Sequence, residues 1–435
     1  MADIIVLGAG MAGFGAAHKL KNSGIDPVIF EKNNYIGGHC ASFTFENKWT
    51  FDDGPHISFS KNEYVKKIFA ESTNNEYYEF SANADNYWNG IWIKHPAQIN
   101  LKNVPAELNK KILLEMIDNQ KQDQPEIKNY QDWLYASFGK TFSENFPMKY
   151  TRKFHTTEAK NMTTDWLGPR LYQPKLEEVI NGMLSDSTED VHYVNQFRYP
   201  TKGGFVTFMN GIHKVADLKM EHELVNINLA KKQLTFKNGY QENYKFCFSS
   251  LPLVKIVDLI ENAPLDIKDA ASKLAFTKCV MVNFGVDRKD LSKFHWRYVY
   301  DEKYYSTRLS YPHMFGPNVA PEGTGSIQVE VYFSDKYKPL DKTPSEFIPI
   351  IKEELIEMGV LEKEDKILFE NAWLSPFAQV IFDHDRKKNV ELIHQFLKDN
   401  DIYVGGRFAN WDYSWSDESF LAGEAAAEVI LNKFK

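Results

Sequence analysis

The chain has 435 residues, 43% hydrophobic and 25% charged, the balance of a globular enzyme, and its length calls for two or three packed substructures. A net charge of −8 excludes bulk attraction to nucleic acid or to an anionic membrane, so an anionic substrate would need a local cluster of Arg or Lys. Three cysteines without paired spacing suggest neither a disulfide framework nor a zinc site, and aromatic residues at 14% fit either a ring-stacking site or a Phe- and Tyr-rich core.

The N-terminus enters a strand at once, with no basic segment or cleavage site. No apolar run reaches the length of a membrane span, so a cytoplasmic protein with no membrane partner is expected. Residues 3–7 (DIIVL) read as a buried parallel strand and residues 11–22 as a helix ended by Asn22-Ser23-Gly24. PVIFEK supplies the next strand, completing a βαβ unit within 32 residues. From about 105 to 185 helical segments dominate. Residues 223–250 read as a hairpin turning at Asn238-Gly239, followed by the buried strand YKFCFSSLP. Cys247 in that run is a small buried hydrophobe. Residues 275–335 alternate as strands of a sheet on the substrate side. IYVG at 402–405 is a last strand, and a closing helix follows Ser419.

Between the first strand and helix lies Gly8-Ala9-Gly10-Met11-Ala12-Gly13, a GxGxxG turn. Gly8 permits the tight turn, Gly10 lets the backbone approach a pyrophosphate, and Gly13 allows close helix–strand packing. The helix N-terminus then stabilises phosphate charge. Glu31, 23 residues after Gly8, ends the second strand where a carboxylate would accept hydrogen bonds from an adenosine ribose. Lys32 adjoins it. The run from Glu31 to Gly37-Gly38-His39-Cys40-Ala41-Ser42 resembles the family of FAD enzymes that includes amine oxidases and sugar mutases. The C-terminal stretch DIYVGGRFANWDYSWSDESFLAGEAAAEVIL completes that pattern with Gly405, Gly406 and Arg407. No second GxGxxG exists, so no separate NAD(P)H domain is expected.

Four segments resemble UDP-galactopyranose mutases. FDDGPHISFS places His56 beside the flavin. ENFPMKYTRKF points to Phe146 and Tyr150 as the aromatics that hold the nucleobase. YYSTRLSYPHMFGPNVAPEGTGSIQVEV supplies Arg308 as a diphosphate ligand. GRFANWDYSWSDESF supplies Arg407, Tyr413 and Asp417. A looser match in DWLGPRLYQP places Arg170 as a second diphosphate arginine, and the same resemblance adds His155 and Asn195 to the substrate contacts. Phe146 and Tyr150 are four apart and would share a helix face.

The resemblance implies an α/β fold: a Rossmann-type FAD-binding domain from residues 1–75, 190–260 and 385–435, a mobile helical lobe at 80–185, and an antiparallel sheet domain at 261–384. It implies reduced FAD, an external reductant and a nucleoside-diphosphate sugar. Pyranose and furanose forms would interconvert through a flavin–sugar adduct with no net redox. A homo-oligomer stays open. The alternative is an FAD-dependent oxidoreductase of the amine-oxidase type, which shares the N-terminal fingerprint. Two departures fall on the substrate side: Phe154-His155 stands where the family usually has a tryptophan near the sugar, and Pro376-Phe377-Ala378-Gln379 lacks its tyrosines.

Overall fold

A computed structural model of the chain describes residues 3–121, 125–168, 171–186, 194 and 196–434. The first strand, Ile4–Leu7, is the middle of a five-stranded sheet in the spatial order Ile402–Val404, Phe246–Ser249, Ile4–Leu7, Val28–Phe30, Asp217–Lys219. All its pairings are parallel. Such sheets are covered on both faces, which is why IIVL and the FCF of FCFS are apolar runs and every residue of both strands is buried.

The helix Met11–Asn22 follows, ending where Ser23 leaves helical geometry and Gly24 turns at φ +83°. Its Gly13 sits against the first turn, where a Cβ would fall 1.9 Å from Gly8 O. The closing helix Ser416–Phe434 begins four residues earlier than its apolar pattern, which opens at Phe420, shows. It lies against the first helix almost backbone to backbone: a Cβ on Gly15 would meet Phe420 O at 2.0 Å, and one on Gly423 would meet Ala12 O at 1.9 Å. The 223–250 reading holds, with Asn238-Gly239 joining Gln233–Phe236 to Gln241–Asn243 beside a third strand, Leu224–Asn228.

The second sheet has seven strands in the order Ile367–Val380, Phe276–Val286, Gly325–Phe333, Arg308–Ser310, Trp296–Val299, Ala84–Trp88, Ile91–Lys94. It is antiparallel except where Trp296–Val299 runs parallel to Ala84–Trp88. The last two strands fall inside the stretch given above to the helical lobe. They form a hairpin about Asn89-Gly90, both at positive φ, and Asp85 locks it to the sheet by a two-point pair with Arg297 at 2.8 Å.

Period-2 alternation divides this sheet into two unlike faces. Val280, Val282, Phe284, Ile327, Val329 and Val331 pack with Phe347, Ile351 and Leu355 of the helix Phe347–Glu357. Asn283, Gln328, Glu330 and Tyr332 point the other way, toward the loop that follows Asp52, and Gln328 Nε2 donates to Asp52 O at 2.8 Å.

The helices Ala106–Lys121, Tyr130–Asn145, Pro147–Phe154 and Leu176–Leu184 build the helical layer. Tyr130–Asn145 breaks at Gly139, φ +77°, and Glu115 bridges the break by accepting from Thr141 N and Oγ1 at 2.6 Å. Pro147–Phe154 is tied to the large sheet by Lys153, whose buried ammonium donates to Asp301 O at 2.8 Å and Ser306 O at 2.6 Å. Among the described residues no helix is long and apolar enough to cross a membrane.

Candidate functional site

The glycine turn is held open from behind. Glu31, buried at the end of its strand, accepts from Ala9 N at 2.8 Å through one oxygen and from Asn33 N at 2.9 Å through the other. Gly37 N donates to Ala9 O at 2.9 Å, which brings Gly38 against Gly10. A Cβ on Gly10 would clear all protein atoms by 3.7 Å or more, and Gly10 has an ordinary extended backbone. The fold itself therefore makes no demand for glycine at position 10, whereas it does at position 13. The helix behind Gly10 has no side-chain N-cap and no acid in its first turn, so the first amides, from Met11, Ala12 and Gly13, present an uncompensated positive end. An open glycine slot, a bare helix N-terminus and a buried carboxylate fit a dinucleotide pyrophosphate and ribose. Lys32 lies exposed beside the carboxylate.

The C-terminal segment closes on the same turn. Gly406, at φ +101°, sits on the first turn of the Met11–Asn22 helix, where a Cβ would fall 2.8 Å from Ala12 Cβ. Arg407 donates to Ser414 O at 2.8 Å and to Gln379 Oε1 at 3.0 Å, and its guanidinium lies 5.3 Å from the centre of the Tyr413 ring. Gln379 thus stands in the stretch that lacks the expected tyrosines and holds Arg407. Asp417 lies in the first turn of Ser416–Phe434, half-buried.

Two histidines flank Arg407. The His39 ring is 5.0 Å from Phe408, with Nδ1 4.0 Å from Asp53 Oδ2. Enclosure, with Arg407 and Lys32 nearby, lowers its pKa to about 4. His56 Nδ1 donates to Gly54 O at 2.7 Å, and the ring lies 5.3 Å from Phe205. Burial outweighs the Gly54 contact and brings its pKa to about 4. With Nδ1–H committed to a carbonyl, the neutral ring presents Nε2 as an acceptor. Asp53 is fixed by Trp373 Nε1 at 2.9 Å and Ser375 Oγ at 3.2 Å. Asp52 faces the other way, accepting from Ser42 Oγ at 2.6 Å, Tyr199 OH at 2.9 Å and Phe205 N at 3.1 Å, and burial raises its pKa to about 6.

The polar face of the large sheet meets this loop. A Cβ on Gly54 would lie 3.1 Å from Met281 Cε and 4.0 Å from Glu330 Oε1. Glu330 is cross-strand partner to Arg308 and takes its guanidinium at two points, Nε to Oε2 and Nη2 to Oε1 at 2.8 Å, while Tyr332 OH donates to Oε1 at 2.6 Å. Arg308 is thus an oriented cation on a buried carboxylate. Glu330, Tyr332, Asp53 and Trp166 escaped the sequence reading. The signal for the first two was present, since QVEVY puts a carboxylate at a regular inward position of a strand.

From the helical side, Tyr150, Phe154 and Tyr413 join Cys279, Met281, Tyr332, Trp373 and Ala378 in one cluster. Tyr150 is stacked on Phe154 at 5.4 Å and stands edge-on to Tyr298 at 5.5 Å. The structure thus brings His56, Arg308, Tyr150, His155, Arg407 and Tyr413 to one region. Phe146 is a correction. It is 0% exposed, stacked between Trp88 at 5.1 Å and Phe142 at 4.8 Å, and offers no face to a nucleobase. Nor does it share a helix face with Tyr150, because it caps the helix Pro147–Phe154 from outside, at φ −124° and ψ −85°. Arg170 and Asn195 lie outside the described residues.

Comparison with known proteins agrees with this geometry. Residues 6–72 match the model of the NAD(P)-binding Rossmann-like domain. Hydroxysqualene dehydroxylase of Sinorhizobium fredii is 36% identical over 66 residues, 15% of this chain and 16% of that protein. A 4,4'-diapophytoene desaturase of Staphylococcus aureus is 33% identical over 115 residues, 26% of this chain and 22% of that protein. The chain thus matches only about a fifth of the length of these relatives. Solved structures align over the whole length. A fatty acid isomerase from P. acnes superposes with a TM-score of 0.66 at 12% identity, covering 100% of this chain and 99% of that one. Reduced UDP-galactopyranose mutase superposes with a TM-score of 0.93 at 23% identity, covering 100% of this chain and 94% of that one. The chain therefore carries the fold of UDP-galactopyranose mutase, with an NAD(P)-binding Rossmann-like domain at its N-terminus.

Proposed function

We propose that this chain is an FAD-dependent nucleotide-sugar mutase that interconverts pyranose and furanose forms. The observation that carries the reading is the meeting of His56, Arg308 on Glu330, Tyr150 and Tyr413 beside the dinucleotide slot, on a fold that matches the mutase end to end. Gly10, Gly38, Glu31 and Gly406 would hold FAD, which when bound and reduced would supply a nucleophile for the anomeric carbon.

The rest is work for the protein. Arg308, pre-oriented by Glu330 and Tyr332, neutralises the diphosphate as it leaves the sugar and keeps it near for return, with Arg170 as second cation and the Tyr413 hydroxyl as neutral donor. Tyr150 offers a ring to the nucleobase. His56, neutral with Nε2 accepting, takes a hydrogen bond beside the cofactor without adding a competing positive charge. Lys153 and the helix it anchors fix Tyr150 against the sheet.

The second reading, an oxidoreductase, is favoured by the names of the sequence relatives, a desaturase and a dehydroxylase. A hydrocarbon would gain nothing from a buried arginine–carboxylate pair, which favours the first. Dithionite-reduced protein should convert a UDP-hexopyranose to its furanose, read by chromatography, and oxidised protein should not. Bleaching of the oxidised flavin by an amine or polyene, with no sugar conversion, would establish the oxidoreductase instead.

A further inference from the structure

His155 follows the last turn of the helix Pro147–Phe154 as its cap, its N–H donating to Thr151 O at 2.8 Å. The imidazole is 3% exposed and lies among aromatic rings, 4.9 Å from Phe154, 5.1 Å from Trp166 and 6.4 Å from Tyr413. Its Nδ1 is buried and has no hydrogen-bond partner among the described residues. The histidines that serve the fold behave otherwise: His222, His313 and His394 each bond a backbone carbonyl. Leaving a buried imidazole nitrogen unpaired is costly, and native proteins rarely do so without a ligand or a function to account for it.

The backbone beside it is strained as well. Thr156 stands at φ +60°, a conformation that a β-branched residue rarely adopts. It is held there by its hydroxyl, 2.7 Å from Ser334 Oγ and 2.6 Å from His155 O. The strain stops the helix at one place and fixes the imidazole beside Trp166 and Tyr413.

We propose that His155 is a specificity-determining residue of the sugar subsite, exchanging a hydrogen bond between its imidazole and one hydroxyl of the sugar ring of a nucleoside-diphosphate sugar. The inference rests on the nucleotide-sugar reading above. Burial lowers the imidazole pKa to about 3, so it stays neutral and carries one N–H and one lone pair. A hydroxyl can meet either nitrogen as donor or acceptor, whereas a sugar carboxylate gains no ion pair. Tyr413, whose ring stacks on Trp166 at 6.0 Å, joins this pocket to Arg407 and the cofactor side.

The test is calorimetric titration of FAD-loaded protein. The nucleoside diphosphate bound best among UDP, dTDP, GDP and CDP is identified first. Its hexose conjugate and the four monodeoxy derivatives of that sugar are then titrated. Wild-type protein should lose about tenfold in affinity for one deoxy derivative and little for the others. His155→Phe should lose about tenfold for the parent sugar, keep its affinity for the bare diphosphate within twofold, and no longer distinguish that deoxy derivative. His155→Gln, which keeps a donor and an acceptor, should recover part of the loss. Equal weakening of diphosphate and sugar conjugate, or wild-type indifference to every deoxy derivative, overturns the inference and leaves the nucleotide-sugar reading standing. Wild-type protein that binds none of the diphosphates or conjugates overturns both. The deoxy series on wild-type protein keeps the proposal falsifiable even if a variant fails to fold.

Discussion

Arg308 and Glu330 face each other across antiparallel strands, and the carboxylate, 2% exposed, holds the guanidinium at two points. Arg308 therefore has a structural debt as well as a proposed ligand. Removing it leaves a carboxylate buried with Tyr332 as its remaining donor, which typically costs about 3–5 kcal/mol. Arg308→Ala should lower the urea midpoint of the protein as well as its affinity for a diphosphate. The double variant Arg308→Ala with Glu330→Gln should regain much of the stability and none of the affinity. Equal stability of the single and double variants would show that the pair is not coupled.

Gly10 and Gly13 make opposite demands. A Cβ at Gly13 would fall 1.9 Å from Gly8 O, so Gly13→Ala should disrupt the turn and reduce folded yield. At Gly10 a Cβ clears the protein, so Gly10→Val should fold with a native circular dichroism spectrum and lose its yellow colour. Retention of FAD at full occupancy by Gly10→Val would move the cofactor elsewhere.

These contrasts follow what could be read from the chain alone. The βαβ unit was legible because its signals are local: IIVL, a glycine turn, helical spacing and a second apolar run all fall within 32 residues. The hairpin at Asn238-Gly239 was legible for the same reason, yet the identical signal at Asn89-Gly90 lay in a stretch assigned to helices and passed unread. Arg308 was legible as a residue, but its partner was not, since strand register is a long-range outcome. The resemblance of ENFPMKYTRKF pointed to Phe146 as well as Tyr150, but burial is a long-range outcome, and the helix face expected from their four-residue spacing fails because Pro147 opens the helix and puts Phe146 outside it.

Burial of His155 makes stability depend on pH. Its folded pKa, about 3, lies below the ordinary 6.5, so between those values the unfolded chain binds a proton that the folded chain does not. Stability contributed by this group is present above pH 6.5 and is lost as pH falls toward 3, by about 2 kcal/mol between pH 7 and pH 5. Asp52, raised to about 6, acts in the opposite sense between that value and its ordinary 3.8. Urea unfolding at pH 7 and pH 5 should therefore show His155→Gln losing less stability on acidification than wild type. Identical losses would place the proton on another group.

Phe146 and Tyr150 give the sharpest separation of core from site. Phe146 is sealed between Trp88 and Phe142, so Phe146→Ala should cost about 3–5 kcal/mol of stability. Tyr150 is half-buried at the rim, stacked on Phe154 and standing edge-on to Tyr298 and Tyr300. Tyr150→Ala should cost less stability but weaken nucleoside-diphosphate binding by about 1 kcal/mol, roughly fivefold in Kd, through the lost ring contact. Tyr150→Phe keeps the ring and should bind nearly as well as wild type. If Phe146→Leu, which preserves most of the buried volume, reduced nucleotide affinity while Tyr150→Ala left it unchanged, the nucleobase would lie against the Phe146 side, and the helical layer would have to open between Trp88 and Phe142 to admit it.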